Sequence, residues 1–462
     1  MRKALSVIFM IGAVLLAAFT IQHVELSVAR KSAIEMEPPA PSVCEHGADT
    51  FCSHLPLIMI NTDGQRIQKE SKIWTDIAVL DGEGMHHTDD LPPFSTAATV
   101  KYRGASSYAV FDKKSYRIKF FKHKEGKAEM PYALAGMAAD CEWVLNGPFL
   151  DRTLLRNYIT FGVCRGMFEW SPDTRFCELF IDGKYQGVYL IIEPITVGPG
   201  RIELTPFGLL SGQTAYLVHR DRSNTELDPL TTYGNTTGMT HGEVSIDYPS
   251  ATKLTPVQRR WIEKDFNRFE QVLYSDDFAN PATGYAAYID VASFVDYYII
   301  NEFSMTVDAS QLSTYLYKPL NGKLHMTVWD FNNAYNNFPW SIKYCDKFYI
   351  TNKNWYDRLL QDRAFTDIVV ERYHELRQGL ISDEQLFAAI DDGVRILGDA
   401  VNRNFDIWGY TFKEKMLSDN DDGSVRDPRS YNEAIAMLKS TIAKRGDFLD
   451  AHIQELYELC IN

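Results

Sequence analysis

At 462 residues and a formal net charge of −14, the chain is too long for one small core and too acidic for a nucleic-acid partner, which calls for a basic face. Its length fits one large bilobal unit or two to three domains. Hydrophobic residues make up 45%, an ordinary share for a globular body.

Met1-Arg2-Lys3 is a basic start, and Ala4 to Ile21 is uncharged and mostly apolar. That run is close to the ~20 residues that span a bilayer and longer than the h-region of a cleaved leader. Ser27-Val28-Ala29 offers a cleavage site. Residues 1–29 therefore read as a signal peptide or an uncleaved signal anchor. Either places the body outside the cytoplasm: extracellular, periplasmic or membrane-anchored. Residues 30–54, with Glu35-Met-Glu-Pro-Pro-Ala-Pro41, read as a linker or stalk. There are seven cysteines. In an exported chain Cys44 and Cys52 are candidates for a disulfide, with Cys164 and Cys177 a second pair. No Cys/His spacing marks a zinc site.

From residue 55 to 200 the pattern predicts a β-rich lobe. Leu55–Asn61 and Trp74–Leu80 read as strands ended by Asp-Gly turns. Val100-Lys-Tyr-Arg-Gly-Ala-Ser-Ser107 predicts a turn between strands, followed by the alternating run Lys113–Phe120. Such a turn can offer backbone N–H groups to phosphate, or it can be a basic solvated hairpin edge. No P-loop motif occurs. Trp143–Asn146 predicts a short strand. Asp151 predicts the N-cap of a helix to about Val163 that carries Arg152 and Arg156, with Arg152 on a solvated face. Arg175–Ile181 and Tyr185–Ile192 around Asp182-Gly183 form a hairpin. Glu193-Pro194 ends it.

Residues 201–462 predict a mainly helical region. Thr205–Asn235 reads as an insert with one strand, Thr214–Val218. Thr255-Pro256-Val-Gln258 is a helix start with a capping box. Asp290 caps a helix over Val291–Ser304. Asn321-Gly322 then predicts a two-residue hairpin turn between Thr314–Lys318 and Lys323–Trp329. In that register Tyr317 faces Met326, Tyr315 faces Val328, and Ser313 stands opposite Asp330, with Asp308 one short loop away. Two carboxylates at one hairpin end can hold a metal or perform acid–base chemistry; each can also simply be a turn residue. Four further helices follow, and Phe412–Pro428 is an acidic loop that lacks the EF-hand pattern.

Several of these runs together resemble the spore-coat protein H (CotH) kinase family: Arg103-Gly104-x-Ser106-Ser107, Lys113-Lys-Ser-Tyr-Arg-Ile-Lys119, the Gly183–Tyr189 run into Glu193, Asn301-Glu302-Phe303, Asp308, and Val328-Trp-Asp-Phe-Asn332. The resemblance covers roughly residues 55–460. It implies a bilobal, protein-kinase-like α+β fold and transfer of the ATP γ-phosphate to Ser or Thr of extracytoplasmic or surface proteins. Alternatives are an ATP-dependent ligase or other transferase on the same fold, and a catalytically silent surface module. Carried over by position, Asp308 and Lys119 are catalytic. Arg103, Gly104, Ser106, Ser107, Lys119 and Glu193 hold the nucleotide. Asp330, Ser313 and Asn332 hold Mg²⁺ or Mn²⁺. The chain departs from the family at Ser313, where Asn is usual, and at Asn332, where Asp is usual; both changes thin the metal shell.

Overall fold

The structure, a computed structural model, describes residues 51–205, 211–223, 228–339, 345–420 and 422–461. The basic start, the apolar run, almost all of the stalk, and Cys44 lie outside the described residues. Cys52 is disulfide-bonded. Cys164 and Cys177 are both buried free thiols, which corrects their proposed pairing. Among the described residues no helix is long and apolar enough to cross a membrane.

The fold is mixed α+β. The strands in chain order are β1 (Cys52–Ser53), β2 (Leu57–Asn61), β3 (Ile73–Leu80), β4 (His86–His87), β5 (Phe94–Arg103), β6 (Ser115–Phe121), β7 (Glu142–Asn146), β8 (Thr174–Ile181), β9 (Lys184–Ile192), β10 (Tyr216–Asp221), β11 (Glu243–Tyr248), β12 (Thr314–Lys318) and β13 (His325–Thr327). Seven of them close into a barrel in the order β2-β3-β5-β6-β7-β9-β8. Parallel pairing of β2 with β8 completes the ring. The period of two sorts the side chains. Tyr116, Ile118 and Phe120 of β6, with Trp143 and Leu145 of β7, fill one apolar cluster. Val144, Leu190 and Phe176 join a second and larger one, with Leu155, Ile159 and Val163. Strands β7, β9 and β8 are thus apolar on both faces, which explains the unbroken run Val188–Ile192.

The helices are α1 (Ser106–Val110), α2 (Arg156–Cys164), α3 (Tyr233–Thr237), α4 (Pro256–Leu273), α5 (Val291–Phe303), α6 (Tyr356–Leu359), α7 (Arg363–Arg377), α8 (Asp383–Leu397), α9 (Ala400–Trp408) and α10 (Tyr431–His452). Both strong start signals hold. The Asp290 carboxylate accepts from Ser293 N at 2.9 Å, and Thr255 and Gln258 form the capping box. Asp151 does not cap α2, which starts at Arg156. Its carboxylate instead accepts from Thr153 N, Thr153 Oγ1 and Arg156 N, folding a polar turn ahead of the helix. Arg152 is buried against Asp427 at 2.6 Å rather than solvated.

A second sheet, β11-β10-β12-β13, lies within the supposedly helical half. The register between β12 and β13 is one residue off the sequence expectation: Tyr317 faces His325 and Leu316 faces Met326. Pro319 is the reason. It cannot donate to the ladder, so β12 stops at Lys318. The turn then forms over Pro319–Gly322, with Gly322 N donating to Pro319 O at 2.9 Å. Asn321 takes the left-handed position at φ 60°, and the connection grows to six residues.

Candidate active site

One end of the barrel meets the loops flanking β10, β12 and β13 around a cavity of about 350 Å³. From the barrel come Arg103 at the end of β5, the Gly104–Ser107 loop, Ser115 at the start of β6 and Asn146 at the end of β7. From the other side come Asp308, Ser313, Asp330 and Asn332, joined by Asp221 and Arg222 at the end of β10. The cavity thus collects eight of the ten residues selected on sequence, all but Lys119 and Glu193.

Gly104 is required by geometry. Its φ is +87°, and a Cβ there would sit 2.1 Å from Ser107 Oγ. Lys114 braces α1, the short helix that follows: its Nζ donates to Tyr108 O at 2.7 Å and to Phe111 O. Arg103 lies over the Trp329 ring, 5.2 Å from its centroid. Burial lowers its pKa, while the nearby negative charge of Asp330 opposes that.

Asp308 is half-buried and Asp330 exposed. The Asp308 carboxyl is pushed up to about 6, first by burial and then by the charge of Asp330; Arg222 pulls the other way. The two carboxylates therefore share one field. Both are held on bent backbone. Ser310, Ser313 and Asp330 take φ values of 64°, 48° and 64°, a conformation costly for residues other than glycine and concentrated at working sites. The Asp308 loop is braced from α5, where the Tyr297 hydroxyl accepts from Ser310 N at 3.0 Å. Asn354 Nδ2 donates to Ser310 O at 2.8 Å.

Asn332 enters the site as a donor. Phe331 N donates to Asn157 Oδ1 at 2.9 Å, which fixes the Asn157 amide. Asn157 Nδ2 then donates to Asn332 Oδ1 at 2.7 Å. The remaining Asn332 Nδ2 donates to Asp330 Oδ1. The Asn332 oxygen, taken on sequence as a metal ligand, faces Asn157 and Asn146. Asn332 thus orients Asp330.

Lys119 does not reach the cavity. It shares the outward face of β6 with Arg117, and its Nζ pairs with Glu129 at 2.5 Å. Ser115 marks the cleft end of β6, four residues or roughly 13 Å of strand away. Lys113 is buried, its Nζ donating to Val188 O at 2.6 Å and Asn404 Oδ1 at 2.7 Å. Glu193 is also elsewhere: its carboxylate accepts from Arg201 at 2.5 Å and its backbone N–H donates to Asp173 O at 3.1 Å. Burial raises its pKa to about 6, against the pull of Arg201.

Asp221 and Arg222 were missed because their stretch reads as an insert. The available signal was the run Tyr216–Asp221, a strand ending in an acid followed by a base. Among the described residues no three His, Cys, Asp or Glu side chains gather into a metal cage. Mg²⁺ does not need one, since it binds through one or two carboxylates plus substrate phosphates. Asp330, with Ser313 lining the same cavity, fits that donor set and leaves Asp308 free for the acceptor. No curated protein matches the chain. The family model described as CotH kinase protein matches residues 100–449, and with a match across most of its length the chain belongs to the CotH kinase family.

Proposed function

We propose that this protein is an ATP-dependent kinase that transfers the γ-phosphate to Ser or Thr hydroxyls of proteins outside the cytoplasm. The barrel is its nucleotide lobe and the helical body carries the acidic loops. The observation that supports this best is the meeting of Asp308, Asp330 and the Gly104–Ser107 loop around one cavity. Phosphoryl transfer asks the protein mainly to position reactants and offset charge. Asp308 orients the acceptor hydroxyl and takes its proton. With a pKa of about 6 it is largely ionised at neutral pH yet basic enough to serve. The loop covers the phosphates with backbone N–H groups. Arg103 and Arg222 supply the positive charge that the sequence reading gave to Lys119. Bound Mg²⁺ or Mn²⁺, held by Asp330 with Ser313, offsets charge on the phosphate oxygens.

Export rests on the basic start and the apolar run Ala4–Ile21. The full-length protein, incubated with γ-labelled ATP, Mg²⁺ and a mixture of surface proteins, tests the reading. Label should appear in protein with the wild type and with Lys119→Ala. It should vanish with Asp308→Ala, Asp330→Ala and Arg103→Ala. ATP consumed without protein label points to the ligase alternative, and no thermal shift with nucleotide points to the silent module. Equal labelling by wild type and Asp308→Ala sinks the assignment.

A further inference from the structure

Lys119 has no role inside the cleft, and neither has the basic pattern around it. The register of β5 on β6 gives that pattern a geometry. Arg103 stands opposite Ser115, Lys101 opposite Arg117, and Thr99 opposite Lys119. The alternate residues Val100, Tyr116, Ile118 and Phe120 fill the barrel interior, so these six side chains share the outward face. Arg103 and Ser115 line the catalytic cavity. The Lys101–Arg117 rung follows about 7 Å further out, and the Lys119 rung about 13 Å out. Lys101, Arg117 and Lys119 all keep part of their surface exposed. Two like charges directly opposite each other, as at Lys101 and Arg117, destabilise a sheet unless something offsets them.

More charge of the same sign lies alongside. Partial burial lowers the Lys72 pKa; Glu142 opposes that, and Arg117, Lys119 and Lys101 add to it, so Lys72 is within electrostatic reach of all three. Tyr102 N donates to Gln68 O at 2.8 Å, which lays the segment carrying Arg66 and Lys69 along the cleft end of β5. The carboxylates interspersed with these cations are Glu70, Glu129 and Glu142. Glu142 pairs with Arg117, and Glu129 with Lys119 at 2.5 Å. Lys72 and Lys101 have no hydrogen bond or ion pair among the described residues. On the second sheet Asp247 is paired with His219 at 2.8 Å, and Asp221 adjoins Arg222. Leaving aside Arg103, which Asp330 opposes, six cations stand against three carboxylates on this face, in a chain of net charge −14.

We propose that this face docks an acidic segment of the acceptor protein, which runs out of the cavity along the Arg103, Arg117 and Lys119 rungs. The inference rests on the kinase reading and names the class of its substrate. Inside the cavity the acceptor meets Asp221, Asp308 and Asp330, so acids next to its hydroxyl are repelled. An extended chain rises as a strand does, so the acids that are gripped stand roughly three to five residues from that hydroxyl.

Fluorescence anisotropy of labelled peptides with the full-length protein tests this at low and at high salt. Each peptide carries one Ser. A run of Glu starts beside it in the first and roughly three residues away in the second; Gln replaces Glu in the third. The spaced-Glu peptide should bind about tenfold more tightly than the other two, and salt should remove the difference. Lys101→Glu should abolish the preference. That substitution relieves the opposition to Arg117, so its melting temperature should be no lower than that of wild type. Its thermal shift with Mg²⁺ and ATP should also match. Phosphatidylserine vesicles run in parallel test a lipid surface as the partner. Equal binding of the three peptides, tighter binding of the adjacent-Glu peptide, an undiminished preference in Lys101→Glu, or vesicle binding without a peptide preference overturns the proposal. The preference is read without catalysis, and label transfer from ATP is read without these peptides, so the docking face and the kinase reading can fail separately.

Discussion

Asp308 carries a conflict between stability and chemistry. Burial and the neighbouring Asp330 charge raise its pKa from 3.8 to about 6. The folded state therefore holds that proton more tightly than the unfolded chain does. Stability is greatest below the unfolded value and falls as pH rises through the window between about 4 and 6. At neutral pH the ionised group is a strain on the fold. Asp308→Asn keeps the shape without the charge, so it should be more stable than wild type at pH 7 by about 1–3 kcal/mol. The gain should shrink toward zero below about pH 4, and transfer should be lost. Urea unfolding at the two pH values checks this; equal stability at pH 7 would show that the carboxylate is not strained. Asp308, Asp330 and the Gly104 loop were legible in the sequence as candidates for one cavity, because short local runs single them out. Lys119 was not, because a lysine on an alternating strand says nothing about which end of that strand meets the cleft.

At the scale of elements, α2 and the Asp330 turn act as a unit through Asn157 and Asn332. The family's usual Asp at position 332 would keep an oxygen for Asn157 but replace the donor facing Asp330 with a second negative charge. Asn332→Asp should therefore be less stable than wild type without metal, because like charges are brought together. It should gain a larger Mg²⁺-dependent rise in melting temperature, because ligand binding to the folded state stabilises it. Melts with Mg²⁺ and with EDTA read both effects. A Mg²⁺ shift no larger than that of wild type would mean that position 332 does not face the cation. The helix starts at Asp290 and Thr255 were legible because caps are local. The β12–β13 register was not, because Asn321-Gly322 was read as the turn while Pro319, two residues earlier, ended the strand. A slip of one residue moves every side chain to the opposite face.

At the scale of the molecule, barrel closure was the least legible feature. It depends on β2 pairing in parallel with β8, residues more than a hundred positions apart, and neither strand's pattern names its partner. The same holds for the Glu302–Arg445 pair, which ties three distant segments behind the Asp308 loop. Both residues are buried. Arg445 donates to the Glu302 carboxylate at 2.5 Å, to Glu302 O, and to Cys345 O and Lys347 O. Glu302 also accepts from Tyr349 N at 2.7 Å and Ile350 N at 2.8 Å. Burial raises the Glu302 pKa, and Arg445 holds it down. Arg445→Met leaves a buried carboxylate without its cation, a loss of about 3–5 kcal/mol. With that opposing charge gone the Glu302 pKa rises further, so the variant binds a proton on folding and should recover part of its stability as the pH is lowered from 7 toward 5. Adding Glu302→Gln removes the charge that needs compensation, so the double variant should be more stable at pH 7 than Arg445→Met alone. Unfolding curves for the three proteins at both pH values decide it. A loss independent of pH and unrelieved by the second substitution would mean that Arg445 acts through its bonds to Cys345 and Lys347 rather than through charge.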